Sequence, residues 1–263
     1  MSSKGTALIT GASTGIGAVY AEQLARRGHD LILVARNRER LNAQAERLTT
    51  LTGRSVEVLP ADLADARDLA SIEARLREDA SIDLLVNNAG VGTHTPLLDS
   101  DVEQMSRMIA LNVTALTRLT YAAVPGLVAR GRGAVINISS VVSLAPELLN
   151  GVYGASKAYV TAFSQSLHKE LAGSGVQVQA VLPGATATDF WAIGGLPVEN
   201  LDPAIVMTAQ DLVEAALQDF DEQRLISIPS LHEFERYEAL EAARQRLVGQ
   251  LSNQRLAPRY QEK

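Results

Sequence analysis

Short runs of β-branched and leucine residues alternate along this chain with longer stretches of helical spacing, and that alternation leaves few architectures open. The runs near residues 6–10, 30–35, 54–60, 82–87, 133–139, 176–182 and 225–228 are nearly continuous in apolar character. A strand of this kind is buried on both faces, as in a parallel sheet whose crossover helices cover both sides. Helical patterns begin near Gly15, Arg38, Ala64, Asp101, Tyr153, Ala209 and His232. The expected fold is α/β, a doubly wound parallel sheet of about seven strands with helices on both faces and right-handed crossovers. The 263 residues suit one domain. Residues 184–207 interrupt the rhythm with Gly194, Gly195, Pro197 and Pro203 and are read as a mobile lid. Residues 231–263 are read as a helical tail that turns polar from about Ser252.

Composition removes several classes of function. With no cysteine, the chain has neither disulfides nor thiolate chemistry. Its four histidines, His29, His94, His168 and His232, lie far apart and lack metal-ligand spacing, so no metal site is expected. A net charge of −6 and the lack of a basic run argue against nucleic acid as a partner. No stretch approaches the roughly 20 apolar residues of a membrane span, and the first residues do not form a signal peptide. A cytoplasmic location is the expectation.

The first apolar run leads directly into Gly11-Ala-Ser13-Thr14-Gly15-Ile16-Gly17 and then into a helical pattern. Glycines there permit positive φ and let backbone amides approach a pyrophosphate, while the helix N-terminus attracts negative charge. The turn points to a Rossmann-like dinucleotide site, although its spacing is Gly-x-x-x-Gly-x-Gly rather than Gly-x-Gly-x-x-Gly. Alone, it is equally an ordinary strand-to-helix turn. At the end of the second run, Ala35-Arg36 stands where an acidic residue would bind the ribose hydroxyls of NAD. Arg36, helped by Arg38 or Arg40, can pair with a 2′-phosphate, so NADP(H) is favoured over NAD(H).

Near the middle of the chain, Tyr153 and Lys157 are four residues apart and share one face of a helical pattern. A tyrosine of ordinary pKa, about 10, is a poor base at neutral pH, and a neighbouring ammonium is expected to lower that value. Thirteen positions before Tyr153, the fifth long run ends in Ser139-Ser140, at the carboxyl edge of the sheet where such folds bind ligands. A serine hydroxyl at that edge can donate to a carbonyl oxygen as charge develops on it.

With these elements in order, the chain resembles the short-chain dehydrogenase/reductase family, the roughly 250-residue single-domain type, over about residues 5–230. Ala61-Asp62-Leu63 is similar to the family's adenine-contacting segment, and Asn87-Asn88-Ala89-Gly90 to the motif supporting its central sheet. Asn112, Ser140, Tyr153 and Lys157 fall where the family keeps its catalytic tetrad. Pro183-Gly184 and Thr188 resemble the segment that meets the nicotinamide amide. The resemblance implies that Tyr153 exchanges a proton with the substrate oxygen and Ser140 orients that oxygen. Lys157 would hold the nicotinamide ribose and Asn112 a relay water. It also selects Ser140 over Ser139 and implies a homodimer or homotetramer formed through the helical stretches 101–124 and 153–171.

The expected function is NADP(H)-dependent hydride exchange with a carbonyl compound or secondary alcohol. Phe190, Trp191, Ile193 and Leu196 either wall a site for a hydrophobic substrate, seal a closed lid or form a subunit surface. His94 is read as a surface or satisfied histidine. Thr14 departs from the basic residue that many NADP-preferring relatives carry in the turn, so cofactor preference rests on Arg36 and the missing acid. The alternatives are a non-catalytic NADP(H)-binding sensor or interaction protein of the same fold, which turns nothing over, and an epimerase or dehydratase of nucleotide-linked sugars, whose glycine spacing differs.

Overall fold

A computed structural model describes residues 4–260; the first three residues and the last three of the tail lie outside the described residues. The apolar runs form β1 (Thr6–Thr10), β2 (Asp30–Ala35), β3 (Val56–Pro60), β4 (Ile82–Asn87), β5 (Gly133–Ile138) and β6 (Val176–Val181). Two short strands, β7 (Thr186–Ala187) and β8 (Met207–Thr208), precede β9 (Ile226–Ser227). Seven of these make one sheet in the order β3-β2-β1-β4-β5-β6-β9, and every neighbouring pair is parallel. Strand order reverses between β1 and β4, so the crevice for a ligand opens at their carboxyl ends.

The helices are α1 (Gly15–Arg26), α2 (Arg38–Thr52), α3 (Ala66–Glu78), α4 (Val102–Ile109), α5 (Leu116–Arg130), α6 (Gly151–Glu170), α7 (Phe190–Ile193) and α8 (Ala209–Asp221). Alternating side chains of each strand feed two cores. Ala7 and Ile9 of β1 pack with Tyr20 and Leu24 of α1, Leu41 and Leu48 of α2, and Leu212 and Leu217 of α8. Leu8 of the same strand joins Ile72 of α3 and Leu119 and Leu127 of α5 on the opposite face. Helices on both faces therefore follow from strands that are apolar on both faces.

Two segments differ from their sequence reading. The pattern starting at Asp101 is divided: α4 passes through a π-helical turn, Ala110–Ala115, into α5. The stretch 184–207 is not irregular throughout, because β7 pairs with β8 and α7 forms between them. Trp191 Nε1 donates to the Thr186 carbonyl at 3.0 Å, and Met207 N to that of Ala185 at 2.9 Å. These strands have only two residues each, too few for any periodicity to mark them.

Beyond Ser230 the chain forms a second compact unit. It contains α9 (Glu235–Val248), which starts three residues after the expected His232. In this unit the Phe234 and Tyr237 rings lie 5.5 Å apart. Among the described residues no helix is long and apolar enough to cross a membrane.

Candidate active site

The turn after β1 depends on its glycines. Gly11 and Gly15 adopt φ of +65° and +57°, in the left-handed region. Gly17 faces inward: a Cβ there would stand 2.4 Å from the Gly11 carbonyl oxygen and 2.5 Å from Asn88 Nδ2. Thr10 Oγ1 donates to the Val86 carbonyl and accepts from the amides of Asn88 and Ala89, at 2.9 and 3.0 Å. Asn88 Nδ2 returns a bond to the Thr10 carbonyl at 2.9 Å. The carboxyl ends of β1 and β4 are thereby tied into one floor.

A contrast among helix starts indicates what the turn can hold. Asn37, Asp65, Asp101, Asn150 and Thr208 cap α2, α3, α4, α6 and α8 with their side chains. Thr14, before α1, makes no such bond, as is also true at the starts of α5, α7 and α9, and the first turn of α1 carries no acidic residue. Its amides are left for an anion, and the lack of a Cβ at Gly11 and Gly17 lets the turn pack directly on Asn88 and Ala89, so that the backbone faces the cleft. These residues fit the pyrophosphate of a dinucleotide.

At the far end of the sheet edge, α6 presents Tyr153 and Lys157 one turn apart, both buried, beside the buried Ser140 at the end of β5. Lys157 Nζ donates to the Ile138 carbonyl at 2.9 Å and lies 5.9 Å from the centre of the Tyr153 ring. Ser140 Oγ donates to the Pro183 carbonyl at 3.3 Å. Ser139 is turned elsewhere, donating to the Lys157 carbonyl at 2.8 Å and sharing a hydrogen bond with Thr161.

The electrostatics correct one expectation. Lys157 was to lower the Tyr153 pKa, but burial of the ring dominates and pushes the hydroxyl up to about 12, opposed only by a hydrogen bond with the Ser140 side chain. Burial likewise pushes Lys157 down to about 8. Spacing reveals a neighbouring ammonium; it does not reveal how dry the site is.

A single cleft of about 830 Å³ joins the two ends. Ser13, Thr14, Gly15 and Ile16 line it at the glycine turn, then Arg36, Asp62, Leu63, Asn88, Ala89 and Gly90, and finally Ser140, Tyr153, Lys157, Pro183, Gly184 and Thr188. Gly11 also lines it, whereas Gly17, Arg38, Asn87, Asn112 and Leu196 do not. Asn112 sits in the π-helical turn, where Nδ2 donates to the Val91 carbonyl and to Ser156 Oγ and Oδ1 accepts from the Val91 amide. Its amide is committed to holding the backbone after β4.

One lining residue, on α4, carried no signal in the sequence. Arg107, on the exposed side of α4, lies 3.7 Å from Asp62, and only the fold brings the two together. Arg40, beside Arg36, pairs with Asp189 at 3.5 Å. Arg36 itself has no carboxylate partner among the described residues. His94 lies outside the cleft lining, with Nδ1 3.1 Å from the Gly194 carbonyl.

Comparison with known proteins agrees with this arrangement. A family model described as short chain dehydrogenase matches residues 5–193. An uncharacterized oxidoreductase of Staphylococcus epidermidis is 36% identical over 207 residues, which are 76% of this chain and 88% of that protein. A short-chain dehydrogenase from Sphingobium yanoikuyae, solved with NADPH, is 50% identical; the match covers 97% of this chain and 98% of that one with a TM-score of 0.94. The bulky-bulky ketone specific alcohol dehydrogenase from Comamonas testosteroni is 44% identical over 98% of this chain and 99% of its own, with a TM-score of 0.91. A family match that runs from β1 through α7, joined to near-complete structural overlap with a protein of that description, gives the conclusion: this chain belongs to the short-chain dehydrogenase family and has the fold of a nicotinamide-dependent oxidoreductase.

Proposed function

We propose that the protein is an NADP(H)-dependent oxidoreductase acting on an uncharged, apolar ketone or the corresponding secondary alcohol, with Tyr153 as its acid and base. The observation that carries this reading is the continuous cleft leading from an uncapped helix start to Tyr153, Lys157 and Ser140. Val91, Val142, Leu149 and Phe190 pack with Tyr153 and, with Trp191 and Ile193, line the cleft, whereas Arg36, Arg40 and Asp62 follow β2 and β3 at the other side of the sheet edge. That division suits an apolar substrate at one end and an anionic cofactor at the other. The ketone specificity named for the Comamonas testosteroni neighbour supports the same class.

When bound, the nicotinamide supplies the hydride for reduction or accepts it in oxidation. The chain's residues handle the oxygen. With its pKa pushed up to about 12, Tyr153 stays protonated at neutral pH, the form needed to give a proton to a carbonyl oxygen. Ser140 donates to the same oxygen and fixes its direction, leaving the Pro183 carbonyl to do so. Lys157 donates to the ribose hydroxyls and keeps one bond to the Ile138 carbonyl. The Gly15 and Thr188 segments, which approach so closely that a Cβ on Gly15 would stand 3.1 Å from Thr188 Cγ2, meet to form one wall of the cleft against which the cofactor would lie.

Turnover of a ketone panel with NADPH and NADH tests the reading, and Arg36→Ala tests the choice of cofactor. The substitution is expected to raise the NADPH KM about tenfold or more while changing that for NADH less than about twofold, the effect of losing a charge-assisted bond to the 2′-phosphate. Equal effects on both would remove the preference. Binding without any turnover would leave the sensor reading in its place.

Lys157 gives a pH signature. Its ammonium is present below about pH 8 and lost above it, so NADPH affinity of the free protein is expected to fall as pH rises through that value. Lys157→Met should bind more weakly and show no inflection there. Fluorescence titration of the cofactor measures both, and a wild-type profile without a break near pH 8 would contradict the assigned role.

A further inference from the structure

We infer that Asn150 is a positioning residue that fixes the walls of the substrate end relative to Tyr153; the inference rests on the oxidoreductase reading. Asn150 is 5% exposed and caps α6. Its Oδ1 accepts from the amides of Val152 and Tyr153 at 2.9 and 3.3 Å. Its Nδ2 donates to the Thr95 carbonyl at 2.7 Å. A helix cap needs only the oxygen, which serine or aspartate would also supply. The amide nitrogen is an additional connection, from the start of α6 to the segment after β4.

That segment is itself fastened to the opposite wall. The Thr95 amide donates to Thr93 Oγ1 at 3.1 Å, and His94 Nδ1 and Thr93 Oγ1 lie 3.1 and 3.5 Å from the Gly194 carbonyl. Gly92 is wedged between rings: a Cβ there would be 2.4 Å from Phe190 Cζ and 3.1 Å from the Tyr153 ring carbons. The Phe190 and Tyr153 ring centres are 5.7 Å apart. Residues 91–95 therefore cannot shift without moving Phe190 or losing contact with Tyr153. One side chain seats the backbone of the proton donor and sets the distance of both walls from it.

Asn150→Ser keeps a capping oxygen and is too short to reach Thr95. It is expected to leave kcat and the NADPH KM near wild type, to lower Tm by a few degrees as the Thr95 carbonyl loses its donor, and to raise the ketone KM about fivefold as the substrate walls loosen. Asn150→Ala should show the same KM change and a still lower Tm. Thr93→Val, which touches no helix cap, should raise the ketone KM in the same way and keeps the test available if the Asn150 variants fold poorly. Trp191, the chain's one tryptophan, lies in the fastened wall with its ring 5.9 Å from that of Phe190. Acrylamide should quench its fluorescence more readily in Asn150→Ser and Thr93→Val than in wild type. Quenching needs no turnover, so a wild-type protein that reduces no ketone would count against the oxidoreductase reading while the fluorescence still decides the positioning. Wild-type ketone KM and wild-type quenching in both variants would show that Asn150 is a helix cap and nothing more.

Discussion

Replacing Tyr153 by phenylalanine is expected to lower kcat/KM for ketone reduction by about 10²- to 10⁴-fold, the range for losing a positioned proton donor. The substitution removes one oxygen from a buried ring. The contacts of that ring with Phe190 and with the backbone of Gly92 involve carbon atoms and persist. Cofactor affinity should stay within about twofold and Tm should change little, because among the described residues the lost hydroxyl has a hydrogen bond only to Ser140 to give up. Comparing single-turnover rates with NADPH titrations separates the chemical step from binding. If Tyr153→Phe reduced ketones at the wild-type rate, the proton would have to come from elsewhere and the proposed mechanism would fall.

That prediction uses a site whose proposed members were legible in the sequence and whose electrostatics were not. Tyr153 and Lys157 stood out by helical spacing and Ser139-Ser140 as a strand end, both local properties of a chain, and the family resemblance then singled out Ser140. The bounds of β1, β2 and β4 match the apolar runs for the same reason: each is buried almost throughout and bordered by glycine, polar or charged residues. Desolvation is not local. The raised pKa of Tyr153 follows from its packing beneath Phe190 and against Gly92, and those contacts come from segments roughly 40 and 60 positions away. Arg107 and Asn150 escaped notice on the same grounds. An arginine on an amphipathic helix and an asparagine at a helix start both have ordinary explanations until the fold places one beside Asp62 and the other on Thr95. Asn112 was located correctly in a helical stretch, yet the π-helical turn that aims its amide at Val91 leaves no trace in periodicity.

The glycine turn supports a second prediction with a large effect, in which one substitution gives opposite results at two positions. Gly17→Ala would put a methyl group 2.4 Å from the Gly11 carbonyl oxygen and 2.5 Å from Asn88 Nδ2. Neither obstacle can move cheaply, because the first is backbone of the phosphate turn and the second is held by the Thr10 carbonyl. Either α1 retreats or the turn deforms. Overpacking of this kind costs about 1–3 kcal/mol and should lower Tm by roughly 2–12 °C. Displacing the turn also withdraws amides from the pyrophosphate, and losing one charge-assisted hydrogen bond costs about 1.5–3 kcal/mol, so NADPH affinity should fall by about ten- to a hundredfold. At Gly151, on the first turn of α6, a Cβ meets nothing within 4 Å and the backbone does not adopt positive φ. Gly151→Ala should therefore raise stability by about 0.4–1 kcal/mol, through the lost freedom of the unfolded chain, with cofactor binding unchanged. Thermal unfolding and NADPH titration of the two variants compare them directly. Similar Tm and affinity in both would mean that the close approach of Gly17 to Gly11 and Asn88 does not shape the cofactor turn, and the assignment of that turn to the pyrophosphate would lose its main geometric support.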